Sequence, residues 1–345
     1  MKKMTSLLAA AAMSFGAGAF AVGVQSAAAQ DYKDEYSIST VLPEPFPWGV
    51  AAEEWADLVE ERTDGRIKMR VHPGAELVQG NQTREFTALR RGSIDMAVGS
   101  TINWSPQIKE LNLFSLPFLM PDYEAIDALT QGEVGDEIFT ILEDNGVVPL
   151  AWAENGFREL TNSQHAVRTP EDLEGLKIRV VGSPLFNDTF TALGANPTQM
   201  SWADAQPALT TGAVDGQENP LTIYTTLGMD ELGQDYITLW GYMADPLIYA
   251  VNPDVWESFT EEDQEIVRQA AIDSGAHGIE VAREGLVPPD TSLIDSIEEK
   301  GVEVTRLTDE ERAAFVEATR GVYEEWAQEI GPDLVEKAEE AIENR

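Results

Sequence analysis

Apolar and polar positions alternate from Tyr36 to Leu42, the period-two pattern of a strand with one buried face. Glu44-Pro45-Phe46-Pro47-Trp48-Gly49 interrupts it with a stiff aromatic turn. From Val50 to Thr63, Ala51, Trp55, Leu58 and Val59 recur at helical spacing, and Asp64-Gly65 ends the run. Ile67, Met69 and Val71 then alternate with Lys68 and Arg70 as far as Pro73-Gly74. Strand, helix, strand in this order predicts a mixed sheet flanked by helices, hence an α/β protein.

The pattern continues in the same style. Trp104 falls in a loop before the apolar run Leu111 to Leu119. Helices are predicted over Tyr123 to Leu129 and Asp136 to Leu142, and Gly146 stops the second before a strand from Val147 to Ala153. Thr169 caps a helix with Pro170 at its first position and Asp172 at its third, and Ser201 caps the next, beginning at Trp202. A helix from Thr260 runs to about Leu286, where Pro288-Pro289 stops it. Thr308-Asp309-Glu310-Glu311 is a capping box, and Gly331-Pro332 divides the last two helices. Glu339, Glu340 and Glu343 read as a solvated face.

A short echo suggests two related halves. Ala88-Leu89-Arg90-Arg91-Gly92-Ser93-Ile94-Asp95 resembles Ala208-Leu209-Thr210-Thr211-Gly212-Ala213-Val214-Asp215. Each reads as a helix end, a left-handed glycine and entry into a buried strand. Asp95 and Asp215 read as turn or cap residues rather than catalysts.

The 345 residues suffice for two domains, and 43% hydrophobic content is ordinary for a chain with a sizeable core. Residues 1–29 are set aside as a signal peptide: Lys2 and Lys3, a small and apolar run from Leu7 to Val24, then Ala27-Ala28-Ala29 as the cleavage signal. The remainder is expected to be exported and soluble. The formal charge is −38, and losing Lys2 and Lys3 takes it to −40. Such a charge disfavours nucleic acid and anionic membranes as partners and suits a high-salt habitat. With no Cys there is no disulfide or thiol chemistry.

Enzyme constellations are missing. His72, His165 and His277 stand far apart with no metal-ligand spacing, and there is no G-x-S-x-G elbow, P-loop or dinucleotide fingerprint. No cofactor and no metal are expected. The distinctive positions are arginines on short apolar strands: Arg158 between Phe157 and Leu160, and Arg179 between Ile178 and Val180. A buried guanidinium must find an anion, and its planar fork matches a carboxylate in a way Lys does not. That anion is either one of the chain's own 61 acids or a ligand. Asn219 adds an amide whose backbone is held extended by Pro220.

Asn155 to Pro220 resembles the solute receptors (DctP type) of TRAP transporters, the tripartite ATP-independent periplasmic systems. The resemblance rests on Glu154-Asn155-Gly156-Phe157-Arg158, Thr169-Pro170-Glu171-Asp172-Leu173, Gly175-Leu176-Lys177-Ile178-Arg179-Val180, Gly194-Ala195-Asn196-Pro197 and Val214-Asp215-Gly216-Gln217-Glu218-Asn219-Pro220, in this order and spacing. It extends over nearly the whole mature chain, including Leu116-Pro117-Phe118 and Arg91-Gly92-Ser93-Ile94-Asp95-Met96.

The resemblance implies a periplasmic-binding-protein-like fold with a cleft between two α/β domains and a long hinge-spanning helix near the C-terminus. Residues 30–155 with about 245–284 form domain I in this reading, and 156–244 with about 285–345 form domain II. Arg179 would be the main carboxylate anchor, with Arg158 and Asn219 beside it. Trp202 matches an aromatic position that packs on the ligand, and Trp104 and Trp48 are placed on the opposite wall. Glu44 matches a place where amine-bearing ligands meet an acid in some relatives. The expected partners are a small solute and the TRAP membrane permease, with the receptor a monomer in the periplasm. A plain organic acid, a zwitterion and a small amine all stay open as ligands. So do two other classes, an exported hydrolase using a carboxylate pair and an acidic envelope scaffold.

Overall fold

A computed structural model describes residues 32–345, and the signal-peptide reading of residues 1–29 lies outside them. Among the described residues eleven strands form two sheets. They are β1 (Tyr36–Ser39), β2 (Met69–His72), β3 (Met96–Ser100), β4 (Val148–Phe157), β5 (Glu159–Asn162), β6 (Lys177–Val180), β7 (Asn196–Gln199), β8 (Gly216–Asn219), β9 (Tyr236–Leu239), β10 (Ala244–Val251) and β11 (Glu303–Arg306). The first sheet has the order β2-β1-β3-β10-β4, the second β11-β9-β5-β8-β6-β7. In the first, β1 runs parallel to β2 and β3, while β10 lies antiparallel between β3 and β4. In the second, β6 is parallel to β7 and β8, and β5 is antiparallel to β8 and β9.

The chain passes between the sheets at Arg158, where β4 gives way to β5, and returns between β9 and β10. The predicted strand Val147–Ala153 therefore runs longer, to Phe157. Pairing along β10 continues it through Gly156 to Phe157. The predicted helix at Thr169 is a single 3₁₀ turn, Pro170–Leu173. Trp104 ends a short helix, Thr101–Trp104, rather than sitting in a loop; the Ser100 hydroxyl caps it by accepting from the Ile102 and Asn103 amides.

The echo is structural. Gly92 (φ 71°) and Gly212 (φ 67°) sit in the left-handed region after helices Glu85–Arg90 and Trp202–Thr210. Ser93 donates to Ala88 O and Ala213 to Ala208 O, both at 2.9 Å. Asp95 then accepts from Ser37 N (3.0 Å) and Asp215 from Lys177 N (2.8 Å), so each carboxylate holds the start of the neighbouring parallel strand. Both acids are strand-end caps.

The long helix is Glu261–Arg283, with the Thr260 hydroxyl accepting from Asp263 N. It packs on β4 and on helix Pro47–Arg62, and Trp55 donates to Val267 O at 3.1 Å. Its last residue, Arg283, forks onto Glu154 and Asp127 beside the crossover. Helix Asp309–Ile330 touches both helix Pro184–Ala192 and the 3₁₀ segment Lys109–Ser115, and so bridges the halves. Residues 285–345 do not stay together: β11 joins the second sheet, whereas helix Pro332–Glu343 packs on helices Tyr123–Thr130 and Glu133–Asp144. Among the described residues no helix is long and apolar enough to cross a membrane.

Candidate ligand-binding cleft

The carboxyl ends of the parallel strands from both sheets converge on one cavity. Val41 and Leu42 follow β1, Ser100 closes β3, Arg179 lies on β6 with Val181 just beyond, and Asn219 closes β8. The space beyond the carboxyl ends of strands is where open α/β sheets bind ligands, because the connecting loops separate there. Trp48 and Trp202 enter from the first turns of helices Pro47–Arg62 and Trp202–Thr210. Asn155 and Asp245 come from the crossover strands β4 and β10. The cavity is small, about 20 Å³, so the walls stand close together.

The two arginines have different electrostatic lives. Arg158 is 2% exposed and fully engaged. Its Nε–H donates to Glu218 Oε2, its Nη2 to Glu218 Oε1 at 2.8 Å and Glu218 O at 2.7 Å, and its Nη1 lies 3.5 Å from Asp245 Oδ2. Burial lowers the Arg158 pKa, but the Glu218 carboxylate outweighs it and the net shift is upward. Tyr242 Oη donates to Glu218 Oε2 at 2.7 Å, and the buried phenol is pushed well above its usual value.

Arg179 is 1% exposed and forms no ion pair among the described residues. Its Nη2 donates to Met200 O at 3.0 Å, its Nε–H has no partner, and its guanidinium lies 5.5 Å from the Trp202 ring centre. Burial pushes its pKa down to about 10, only partly offset by the more distant Glu218. A desolvated cation without a counter-ion is costly in the fold.

The other expected residues divide. Trp202 lines the cavity, and its backbone N–H donates to Gln82 Oε1 at 2.8 Å, a bond that ties the second half to the first. Trp48 lines the opposite wall, with its indole N–H bonded to Val98 O at 2.6 Å, so only an apolar face is offered. Asn219 lines it too, with an amide hydrogen committed to Gln217 Oε1. Trp104 does not line the cavity. It is wholly buried behind β3, against Gly99, where an added Cβ would fall 2.0 Å from the indole. Its N–H donates to Glu85 Oε2 at 3.0 Å. Burial pushes that carboxyl up to about 7, despite hydrogen bonds from Ser39 and Trp104. Glu44 is exposed and lies outside the lining.

Five polar lining residues had no role in the sequence reading: Asp245, Asn155, Gln82, Asn103 and Ser100. Asp245 carried a signal, a lone acid inside the apolar run Tyr242 to Val251. Gln82 and Asn103 carried none, and their amide contact at 2.6 Å comes only from the fold. Among the described residues no group of three or more His, Asp or Glu could hold a metal.

A buried cation in a narrow cleft where the strand ends of two sheets converge is the arrangement expected of a receptor for small acids. Residues 38–329 match the model of the bacterial extracellular solute-binding proteins, family 7 (DctP), and the chain belongs to that family. It is the solute-binding component of a TRAP transporter. Among solved structures, it is 61% identical to a TRAP periplasmic solute-binding protein from Ralstonia eutropha H16 with bound (S)-2-acetolactate. That match has a TM-score of 0.90 and covers 91% of this chain and 100% of the other. The 2,3-diketo-L-gulonate-binding periplasmic protein YiaO of Escherichia coli K12 is 33% identical over 88% of this chain and 89% of its own. The C4-dicarboxylate-binding periplasmic protein DctP of Rhodobacter capsulatus is 31% identical over 86% and 87%.

Proposed function

We propose that this receptor takes a compact oxygenated monocarboxylic acid of the acetolactate type, in preference to dicarboxylates and sugar acids. One observation carries the reading: Arg179 is the cavity's uncompensated cation, while the charge of Arg158 is already met by Glu218 and Asp245. One free positive charge suits one carboxylate. A dicarboxylate would place its second charge beside Asp245 with no cation free to receive it. The narrow walls favour a small solute, and the Ralstonia protein with bound (S)-2-acetolactate supports the class.

In this reading Arg179 anchors the carboxylate, Trp202 and Trp48 enclose the solute from opposite walls, and Asn219 sits beside the anchor. Arg158 is held by Glu218 and Asp245 and shapes the wall rather than binding. The two lobes are residues 30–155 with about 245–284, and 156–244 with about 285–331, and the crossovers near Arg158 and Tyr242 let them close. The loaded receptor, a periplasmic monomer freed of residues 1–29, delivers its solute to the membrane permease without turning it over. The amine alternative loses support because Glu44 is exposed away from the cavity, and the hydrolase alternative because both acids beside the cleft are engaged by Arg158.

The test is a thermal-shift screen followed by calorimetry with (S)-2-acetolactate, succinate, D-glucuronate and a small amine. At 100 times Kd a ligand that binds only the fold adds about 2.7 kcal/mol of stability. Acetolactate should bind at least about 100-fold more tightly than succinate, the scale of an unpaired buried charge. Tighter binding of succinate or of the amine overturns the reading.

A further inference from the structure

Only two buried polar side-chain atoms of the cavity lining lack a partner among the described residues: Arg179 Nε–H, a cationic donor, and Asn155 Oδ1, an acceptor. The proposed function uses the first and leaves the second unexplained. Asn155 is 1% exposed. An unmet carbonyl oxygen at that depth costs free energy unless the state that matters supplies a donor.

The backbone shows why this side chain turns into the cleft. Pairing between β10 and β4 sets Pro246 opposite Glu154 and Asp245 opposite Gly156, so Asn155 is the extra residue of a β-bulge. A bulge re-aims a side chain out of the alternating register, and bulges recur beside binding sites. The amide orientation is also fixed. Asn155 Nδ2 donates to Asp245 Oδ2 at 2.8 Å, and Asp245 is held by Ser100 Oγ and Arg158. Exchanging the amide atoms would set Oδ1 against a carboxylate oxygen, so Oδ1 is the atom left without a partner, on a residue that lines the cavity.

Resting on the solute class proposed above, we infer that Asn155 reads a hydroxyl of the solute: with the carboxylate on Arg179, Oδ1 accepts from a hydroxyl on the neighbouring carbon. The receptor is thereby selective for 2-hydroxy acids over 2-oxo acids. A ketone in that position presents lone pairs to the lone pairs of Oδ1 and leaves the acceptor unpaired. A site built to bond a hydroxyl rejects the analogue lacking it strongly, because the buried partner stays unmet.

The test uses 2-hydroxyisovalerate and 2-oxoisovalerate, which share carbon skeleton and charge and differ at that one group. The parent protein should bind the hydroxy acid at least about tenfold more tightly, by calorimetry. Asn155→Leu should weaken the hydroxy acid by about tenfold or more and change the oxo acid less than about threefold, collapsing the ratio. Equal affinity of the parent for the two acids, or an unchanged ratio in the variant, overturns the assignment while leaving the solute class intact. The parent comparison needs no variant, so a poorly folded Asn155→Leu does not rescue the idea. If the parent binds neither acid, the solute class falls, and this assignment falls with it.

Discussion

Replacing Arg179 by Met should move stability and binding in opposite directions. In the fold the guanidinium is 1% exposed, with one hydrogen bond and no counter-ion. Its pKa of about 10 lies more than two pK units below the ordinary value, and at 1.36 kcal/mol per unit the folded protein carries about 3 kcal/mol against the charge. Met removes that cost at similar length and loses the bond to Met200 O, about 1 kcal/mol. The ligand-free variant should therefore be more stable by about 1–2 kcal/mol, read as a higher urea midpoint at pH 7. Binding goes the other way. Loss of the cation from a desolvated pair costs about 2–5 kcal/mol, or roughly 30- to several-thousand-fold in affinity for the best acid of the screen. Arg179→Lys should bind nearly as badly, because the fork is lost. Urea melts with and without acid, beside calorimetry, give all four quantities. A variant that is less stable alone and still binds within about threefold of the parent would refute both the strain argument and the anchor.

Breaking the Arg158 pair has a different signature. Glu218→Ala leaves Arg158 with the backbone carbonyl of that position and the longer Asp245 contact as its one remaining counter-ion, and should cost about 3–5 kcal/mol in urea melts, with any affinity loss secondary to that. Trp104→Ala should likewise cost about 3–5 kcal/mol of stability, while solute affinity in the folded protein changes less than about threefold; Trp202→Ala should show the reverse emphasis. Glu85 predicts a pH effect. Its carboxyl titrates near 7 in the fold against about 4.5 unfolded, so the folded state holds its proton more tightly. Its contribution is complete below the unfolded value and is lost as pH rises towards 7 and past it. Glu85→Gln, which keeps a neutral amide for Ser39 and Trp104, should gain up to about 3 kcal/mol at pH 8 and nothing at pH 4. A gain independent of pH would show that the carboxyl is not held protonated.

The sequence by itself determined the local elements and their repetition. Periodicity placed β1, the helix after it and the long helix from Thr260, because each has one face towards a core and a strong end signal. The matched glycines Gly92 and Gly212 announced the same helix-to-strand turn in each half, because only a residue without Cβ takes that backbone cheaply. The motifs around Arg158, Arg179 and Asn219 brought three lining residues together from positions up to 61 apart.

What each arginine does was decided by tertiary structure alone. Both read from sequence as lying among apolar neighbours on short strands, whereas Arg158 is the crossover residue between β4 and β5, and nothing local says that one meets Glu218 and the other meets no acid. That difference depends on which strands lie side by side, and Glu218 reaches Arg158 because β5 and β8 pair. Trp48 and Trp104 look alike in sequence, yet packing behind Gly99 buries one in the wall while the other faces the cavity. Asn155 shows the same limit at closest range. Its residue type is legible, but the extra position in β4 that turns it into the cleft exists only against β10, ninety residues away. A ligand site is built from contacts between distant strands, and periodicity records only which face of each strand is buried.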